Sequence, residues 1–220
     1  MAVMSHELRT PVTTIYGTAS LLKRDPQRPD TRELLADIED EAERLLRIVD
    51  DLLVLSRAER GVVVLTQEPV VVRHIVTDVL VVVRRRYPSA RIEVEGAVAQ
   101  PALADAIALR QVIHNLLTNA AKYAGTDGPI VVRLAEDDGW LRIEVLDQGP
   151  GLGDRPEDLF QLFHRSPNAG RMAPGSGIGL YVARQLVVAM GGTIDAGTRP
   201  EGGARFVVRL PLSTEDDGDV

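Results

Sequence analysis

Asn115 and Asn119 stand four residues apart in the run QVIHNLLTNAAKY, on one face of an apolar helical pattern, with Lys122 and Tyr123 close behind. Asparagine is a poor helix former, so two on one face need a reason. A side-chain amide oxygen can ligate Mg²⁺ without adding charge, which suits a metal already carrying triphosphate oxygens, and a lysine one turn on can neutralise phosphate. The plain alternative is a solvated polar stripe. Further on, Gly175, Gly177 and Gly179 alternate in GSGIGL and lead through Leu180 into a helix. Glycines let backbone N–H groups converge on an anion, and the helix adds its partial positive end. Alone, they fit a flexible turn equally well, because dinucleotide fingerprints follow a first strand in a βαβ unit and here a long loop precedes. Asp147 closes an apolar strand and opens DQGPG. A carboxylate there can accept a hydrogen bond from the exocyclic amine of a base, while Gly149 and Gly151 keep the neighbouring backbone open. An Asp-initiated turn is its ordinary reading.

At the other end of the chain, SHELRTP sets His6 beside Glu7, one turn before Thr10 and Pro11. A neutral imidazole, with an ordinary pKa of about 6.5, is a nucleophile at neutral pH. Thr10, at i+4, shares the face of His6. Pro11 lacks an N–H and crowds the carbonyl of Glu7, so the helix is expected to bend or loosen beside His6. A solvated histidine at a charged helix start is the bland reading.

Chemistry of this kind needs elements that hold the groups in place. Leu8, Val12, Ile15, Ala19 and Leu22 are spaced four, three, four and three, which predicts a helix over 4–24 with a coiled-coil-like seam. With Leu8 and Ile15 at d and Val12 at a, His6 falls at the outward b position. Asp25 to Asp30 break the pattern, and Asp30 or Thr31 is placed to cap a second helix running to about Arg57. Its seam would be Ile38, Ala42, Leu45, Val49 and Leu52. One apolar stripe per helix is not buried well by a single hairpin, so two copies are expected to form a four-helix bundle, a homodimer.

Beyond Gly61 the pattern turns to β-branched runs. Strands are expected at 62–65, 91–95, 130–136, 140–146, 193–196 and 204–210, and helices at 70–86, 103–123, about 159–164 and up to Met190. Antiparallel hairpins mixed with helices predict an α+β two-layer sandwich, with helices on one face of the sheet. The expected domains are thus an α-helical hairpin over 1–60, the sandwich over 61–213, and a disordered acidic tail over 214–220.

The chain has 220 residues, 45% of them hydrophobic, which is enough for a packed core. It contains no cysteine, which excludes disulfides, thiolate metal sites and cysteine nucleophiles. A net charge of −7 offers no overall pull toward nucleic acid or anionic membrane. The apolar stretch from Val70 to Val83 is too short and too charged to cross a bilayer. No signal peptide is evident, and MAVM leaves little room for a helix turn or a sensing region ahead of the motif, as expected of a fragment of something longer.

Taken together and in this order, the stretches resemble the sensor histidine kinases of two-component signalling. SHELRTP is similar to the phosphoacceptor H box, HNLLTNAAKY to the N box, DQGPGLG to the G1 box, LFQLF to the F box and GSGIGL to the G2 box, so the resemblance covers residues 5 to about 212. It implies a sandwich of the type shared with the related hydrolytic ATPases, ATP and Mg²⁺ as cofactors, and autophosphorylation on His6. Glu7 would orient the imidazole and stabilise its cation. Asn119 would ligate Mg²⁺, with Asn115 as polar support, Lys122 on phosphate and Tyr123 near the adenine, which Asp147 would read. Gly149, Gly151, Gly175, Gly177, Gly179 and Leu180 would frame the nucleotide. The phosphoryl group would pass to an aspartate of a response-regulator receiver domain, and Thr10 would orient water for dephosphorylating that partner.

In the hydrolytic relatives the position of Asn115 usually holds a water-activating glutamate, a role asparagine cannot fill. The chain departs from the family pattern in two places. Its first helix starts only five residues ahead of the histidine, and the segment from Phe163 to Gly175 is short, with Arg165 and Arg171 both candidates for the γ-phosphate. Two other classes compete with the kinase: a non-catalytic dimeric adaptor on a degenerate kinase fold, and an ATP-hydrolysing machine of the same superfamily.

Overall fold

The structure, a computed structural model, describes residues 2–58, 64–123, 128–164 and 177–213, with side chains from Leu8 onward. The chain divides into two compact units, Met1–Gly61 and Val62–Val220.

The first unit is a hairpin of α1 (Ala2–Arg24) and α2 (Thr31–Ala58). Asp25 turns the chain through its carboxylate, which accepts from the Gln27 N–H. Asp30 begins α2 with its carbonyl, which accepts from the Leu34 N–H at 3.0 Å. Neither proposed cap works through its side chain as expected. The Asp30 carboxylate is taken by the Arg28 guanidinium, which holds it below the usual carboxylate range, and the Thr31 hydroxyl donates back to the Arg28 carbonyl. α1 continues through Pro11, which is buried.

The hairpin seam is offset from the expected one. Among the hairpin's described residues Pro11, Thr18, Ile48 and Leu55 are buried, while Val12, Ala19 and Val49, which the expected seam buries only between two copies, are exposed in one. Two sets of apolar side chains thus run along the helices on different faces. One closes the hairpin; the other leaves Val12, Leu35, Leu46, Val49 and Leu53 open.

The second unit is a sandwich. Its five-stranded mixed sheet has the order β2-β4-β5-β7-β6, built from β2 (Ile92–Glu95), β4 (Ile130–Asp137), β5 (Trp140–Leu146), β6 (Thr193–Thr198) and β7 (Ala204–Pro211). β2 runs parallel to β4 and the other pairs are antiparallel. The β4–β5 hairpin turns at Asp138 and Gly139, both with positive φ, the tight turn that matches strand twist. Among the helices α3 (Val72–Arg86), α4 (Ala106–Tyr123) and α5 (Gly179–Ala189), α4 packs against both of the others. Leu109, Ile113, Leu116 and Leu117 of α4 are fully buried with Ile130, Leu134, Leu141, Ile143 and Leu210 of the sheet.

Alternation along the strands puts charge on the sheet's other face, where Glu144 is flanked by Arg133, Arg142 and Arg205. Burial works to raise the Glu144 carboxyl, but the Arg205 guanidinium, with Arg142 and Arg133 beyond it, outweighs that and holds it below the usual carboxylate range.

Several boundaries differ from the expectation. Residues 64–67 are irregular, and the first strand of the unit is instead β1 (Glu68–Val70), paired antiparallel with β3 (Ala102–Ala104). Val62 and Val63 lie outside the described residues, as does the expected tail over 214–220. The predicted start of α4 at Leu103 is therefore strand, and Asp105 ends it by accepting from the N–H groups of Ile107 and Ala108. The short helix expected near 159–164 is a 3₁₀ turn at Pro156–Phe160, begun by a proline that needs no N–H donor. Among the described residues no helix is long and apolar enough to cross a membrane.

Candidate functional site

α4 presents Asn115, Asn119 and Lys122 at i, i+4 and i+7, one face of the helix, with its apolar side against the sheet. Thr118, between the two asparagines, is buried and returns its hydroxyl to the His114 carbonyl at 2.7 Å, so it competes for no ligand. Asn115, Asn119, Lys122 and Tyr123 are all half-buried.

The Asn115 amide donates to the Gly179 carbonyl at 2.9 Å, tying α4 to the first residue of α5. A Cβ at Gly179 would stand 3.4 Å from the Asn115 amide, an ordinary van der Waals contact, so it is the carbonyl and not the missing side chain that makes this link. A glutamate at 115 would set a carboxylate against that carbonyl. The residue before α5, Ile178, supplies no side-chain cap, and the first turn of α5 holds no acid. Its N–H groups are therefore not spent on a capping side chain, as an anion site requires.

Gly177 is needed where it stands: its φ is +68°, and a Cβ would lie 2.8 Å from the His164 carbonyl oxygen. Its own carbonyl accepts from the Phe163 N–H at 3.0 Å, and Phe163 takes a positive φ of 63° to do so. Residues 163 and 177 are joined by that bond across the intervening stretch. Phe160, buried at 5% exposure, carries the Arg184 guanidinium 5.8 Å from its ring centroid. Leu180 is half-buried in the first turn of α5.

Asp147 follows β5 and is 3% exposed. Its Oδ1 accepts from two backbone N–H groups, Gly149 and Ala204, each at 2.9 Å. Its own N–H donates to the Ala204 carbonyl at 3.0 Å, and its carbonyl accepts from the Arg199 Nη1 at 2.8 Å. Oδ2 is the acceptor those bonds leave. A buried carboxylate with one oxygen spent on the backbone and one remaining suits a neutral donor such as a purine amine. Gly151, at φ +77°, passes so close to Thr198 that a Cβ would lie 2.8 Å from its methyl group, while the Thr198 hydroxyl accepts from the Leu152 N–H.

Of the candidates, the structure joins Asn115 directly to Gly179, and Asp147 to Gly149. Gly175, Arg165 and Arg171 lie outside the described residues. His6 and Glu7 lie within α1, but their side chains are likewise outside what is described. Thr10 is exposed on α1. The residues beyond the candidates that hold Asp147, namely Arg199 and Ala204, carried no signal along the chain except the Gly202-Gly203 turn beside them.

The fit to ATP and Mg²⁺ therefore rests on the spare Oδ2 of Asp147, the close backbone approach at Gly177, and the neutral amide of Asn119. None of these introduces negative charge where phosphate would lie.

Comparison with known proteins places both units. Residues 1–61 match the model of the His Kinase A (phospho-acceptor) domain, and residues 104–214 match the histidine kinase-, DNA gyrase B-, and HSP90-like ATPase family. The chain is 33% identical over 231 residues to the sensor histidine kinase GacS of Pseudomonas protegens, covering 100% of this chain and 25% of that one. The chain thus spans about a quarter of the length of the first curated relatives it matches. Among solved structures, the Acinetobacter baumannii histidine kinase AdeS superposes with a TM-score of 0.70 at 26% identity, covering 95% of this chain and 98% of that one. Full-length ShkA, solved in complex with AMPPNP, gives 0.68 at 29% identity and covers 97% of this chain and 45% of that one.

Proposed function

Because the chain belongs to the sensor histidine kinases, we propose that it is an ATP-dependent protein-histidine kinase core that phosphorylates itself on His6 and passes the phosphoryl group to an aspartate of a response-regulator receiver domain. The observation that carries this reading is the Asp147 carboxylate, buried, held by backbone at Oδ1 and left with Oδ2 for the adenine amine. Gly149 and Gly151 keep the backbone beside it open. Asn119 is the Mg²⁺ ligand, with Lys122 on phosphate and Tyr123 beside the adenine. Mg²⁺, when bound, would screen the charge that builds on the transferring phosphate. Asn115 holds the start of α5, where Gly177, Gly179 and Leu180 frame the triphosphate together with Gly175.

His6 attacks the γ-phosphorus through its unprotonated ring nitrogen; the bond to the ADP oxygen breaks and ADP leaves with that electron pair. Glu7 accepts the hydrogen bond of the other ring N–H, fixing the tautomer and stabilising the imidazolium as the bond to phosphorus forms. Asn115 cannot remove a proton from water, which favours His6 as acceptor over hydrolysis. Thr10 orients water when the same surface dephosphorylates the regulator. Two copies join through the open stripe of Val12, Leu35, Leu46, Val49 and Leu53, which buries what one hairpin leaves exposed. Within a longer sensor this fragment is the cytoplasmic part and makes no direct membrane or nucleic-acid contact.

Incubation with Mg²⁺ and γ-labelled ATP should leave acid-labile, alkali-stable label on the chain, and His6→Gln should abolish it completely. Label that persists in His6→Gln would sink the proposal.

A further inference from the structure

We propose that Arg199 is a positioning residue for the adenine end of the site, holding Asp147 so that Oδ2 alone is presented to the purine. The inference rests on the reading of Asp147 as the adenine acceptor. It goes beyond that reading by assigning a function to the β6–β7 turn, which none of the nucleotide-binding stretches contains.

The turn is closed on itself: the Arg199 N–H donates to the Gly203 carbonyl at 2.9 Å, and the Gly202 N–H donates back to Arg199 at 3.0 Å. Gly203, at φ +89°, lies so close that a Cβ would stand 2.0 Å from the Asp147 carbonyl oxygen. From this platform Arg199 Nη1 reaches the same oxygen at 2.8 Å, while its Nη2 stands 3.8 Å from the Glu201 carboxylate. Thr198, at the end of β6, accepts from the Leu152 N–H at 3.1 Å. One turn therefore grips the loop that bears Asp147 at both ends.

Asp147 lies just past β5, where its carbonyl no longer belongs to the sheet ladder. The peptide plane between Asp147 and Gln148 packs against Gly203, and Arg199 is the donor that holds its oxygen. Loss of that donor lets the plane tilt and changes the direction in which the chain enters the next peptide, whose Gly149 N–H supplies one of the two bonds that fix the carboxylate's orientation. A guanidinium supplies a charge-assisted donor, stronger than a neutral one, with Glu201 near its other nitrogen as a loose, exposed ion pair. With Arg199 in place, the Asp147 N–H, carbonyl and Oδ1 are all engaged. Truncating Arg199 leaves the binding groups intact and removes only their alignment.

The test compares ATP with inosine triphosphate, which carries an oxygen where adenine has its amine and an N1–H where adenine has a bare ring nitrogen, with the same ribose and triphosphate. Dissociation constants for both are measured on the full chain, its Arg199→Ala variant and Arg199→Lys. Arg199→Ala should bind ATP about tenfold more weakly, as loss of one charge-assisted bond implies, and inosine triphosphate within about twofold. Arg199→Lys should recover part of the lost preference. In the nucleotide-free protein, exchange of the Gly149 amide should quicken in Arg199→Ala. Equal weakening toward both nucleotides, or an unchanged Gly149 exchange rate, would overturn the proposal. A parent chain that binds the two nucleotides equally would instead refute Asp147 as the adenine reader, before any variant is made.

Discussion

The two units differ in how complete a core one chain can build. In the sandwich, α4 and the strands bury Leu109, Leu116, Leu117, Leu141 and Leu210 with no exposure at all. In the hairpin, Leu46 is 65% exposed and Leu53 51%, while among its described large aliphatic side chains only Ile48 and Leu55 are buried. Two layers enclose space between them; two helices enclose only a seam. The hairpin's second stripe is therefore unfinished in one copy, and its stability should depend on concentration where that of the sandwich does not.

Substitutions of the same residue type divide the two regions. Leu116→Ala should cost about 2–5 kcal/mol, since the cavity it leaves has no exit to solvent. Thermal melting at two protein concentrations should give the same loss at each, and a loss that varied with concentration would place this core under control of assembly. Next in size, Leu46→Asp should weaken self-association at least about tenfold and leave the melting of the sandwich unmoved, because a carboxylate in an apolar seam is desolvated without a partner. Sedimentation across a dilution series reads this directly. An unchanged dimer would show that the open stripe is not the joining face.

The smallest effect belongs to the sheet's outer face. Glu144 titrates lower in the folded chain than in the unfolded one. Its contribution is therefore present above the unfolded carboxylate pKa, about 4.3, and fades as pH falls through the depressed folded value. Glu144→Gln should lower stability by about 1 kcal/mol at neutral pH. In melts at decreasing pH the gap to the parent chain should narrow, and a gap that widened toward acid would reverse the assigned sign.

Much of the candidate site was legible because its chemistry is written in short runs. The spacing of Asn115, Asn119 and Lys122 puts them on one helix face, and DQGPG after an apolar strand puts Asp147 at a strand end. The hairpin's period was legible too, but its register was not. A 3.5-residue repeat marks an apolar side, yet Leu8-Val12-Ile15 and Leu8-Pro11-Ile15 both satisfy it. Which stripe faces the other helix depends on how α2 packs. The sequence pattern places Leu103 and Ala104 in the helix because they continue the apolar run of α4, and only pairing with β1, distant in sequence, makes them strand. Asp105 was a capping signal in plain view, two residues inside the expected helix.

By itself the sequence determined the long helices, the strands of the five-stranded sheet and their order, and marked candidate residues whose chemistry suits phosphate and purine, because helix period, turn glycines and side-chain chemistry are local properties. Tertiary structure alone decided that Asp147 is held by the backbone of Gly149 and Ala204 and by the Arg199 side chain, that Asn115 binds the start of α5, and which hairpin stripe stays open. Each of these joins groups from different elements through hydrogen bonds or packing, and such contacts exist only once strand register and helix packing have brought distant backbone together.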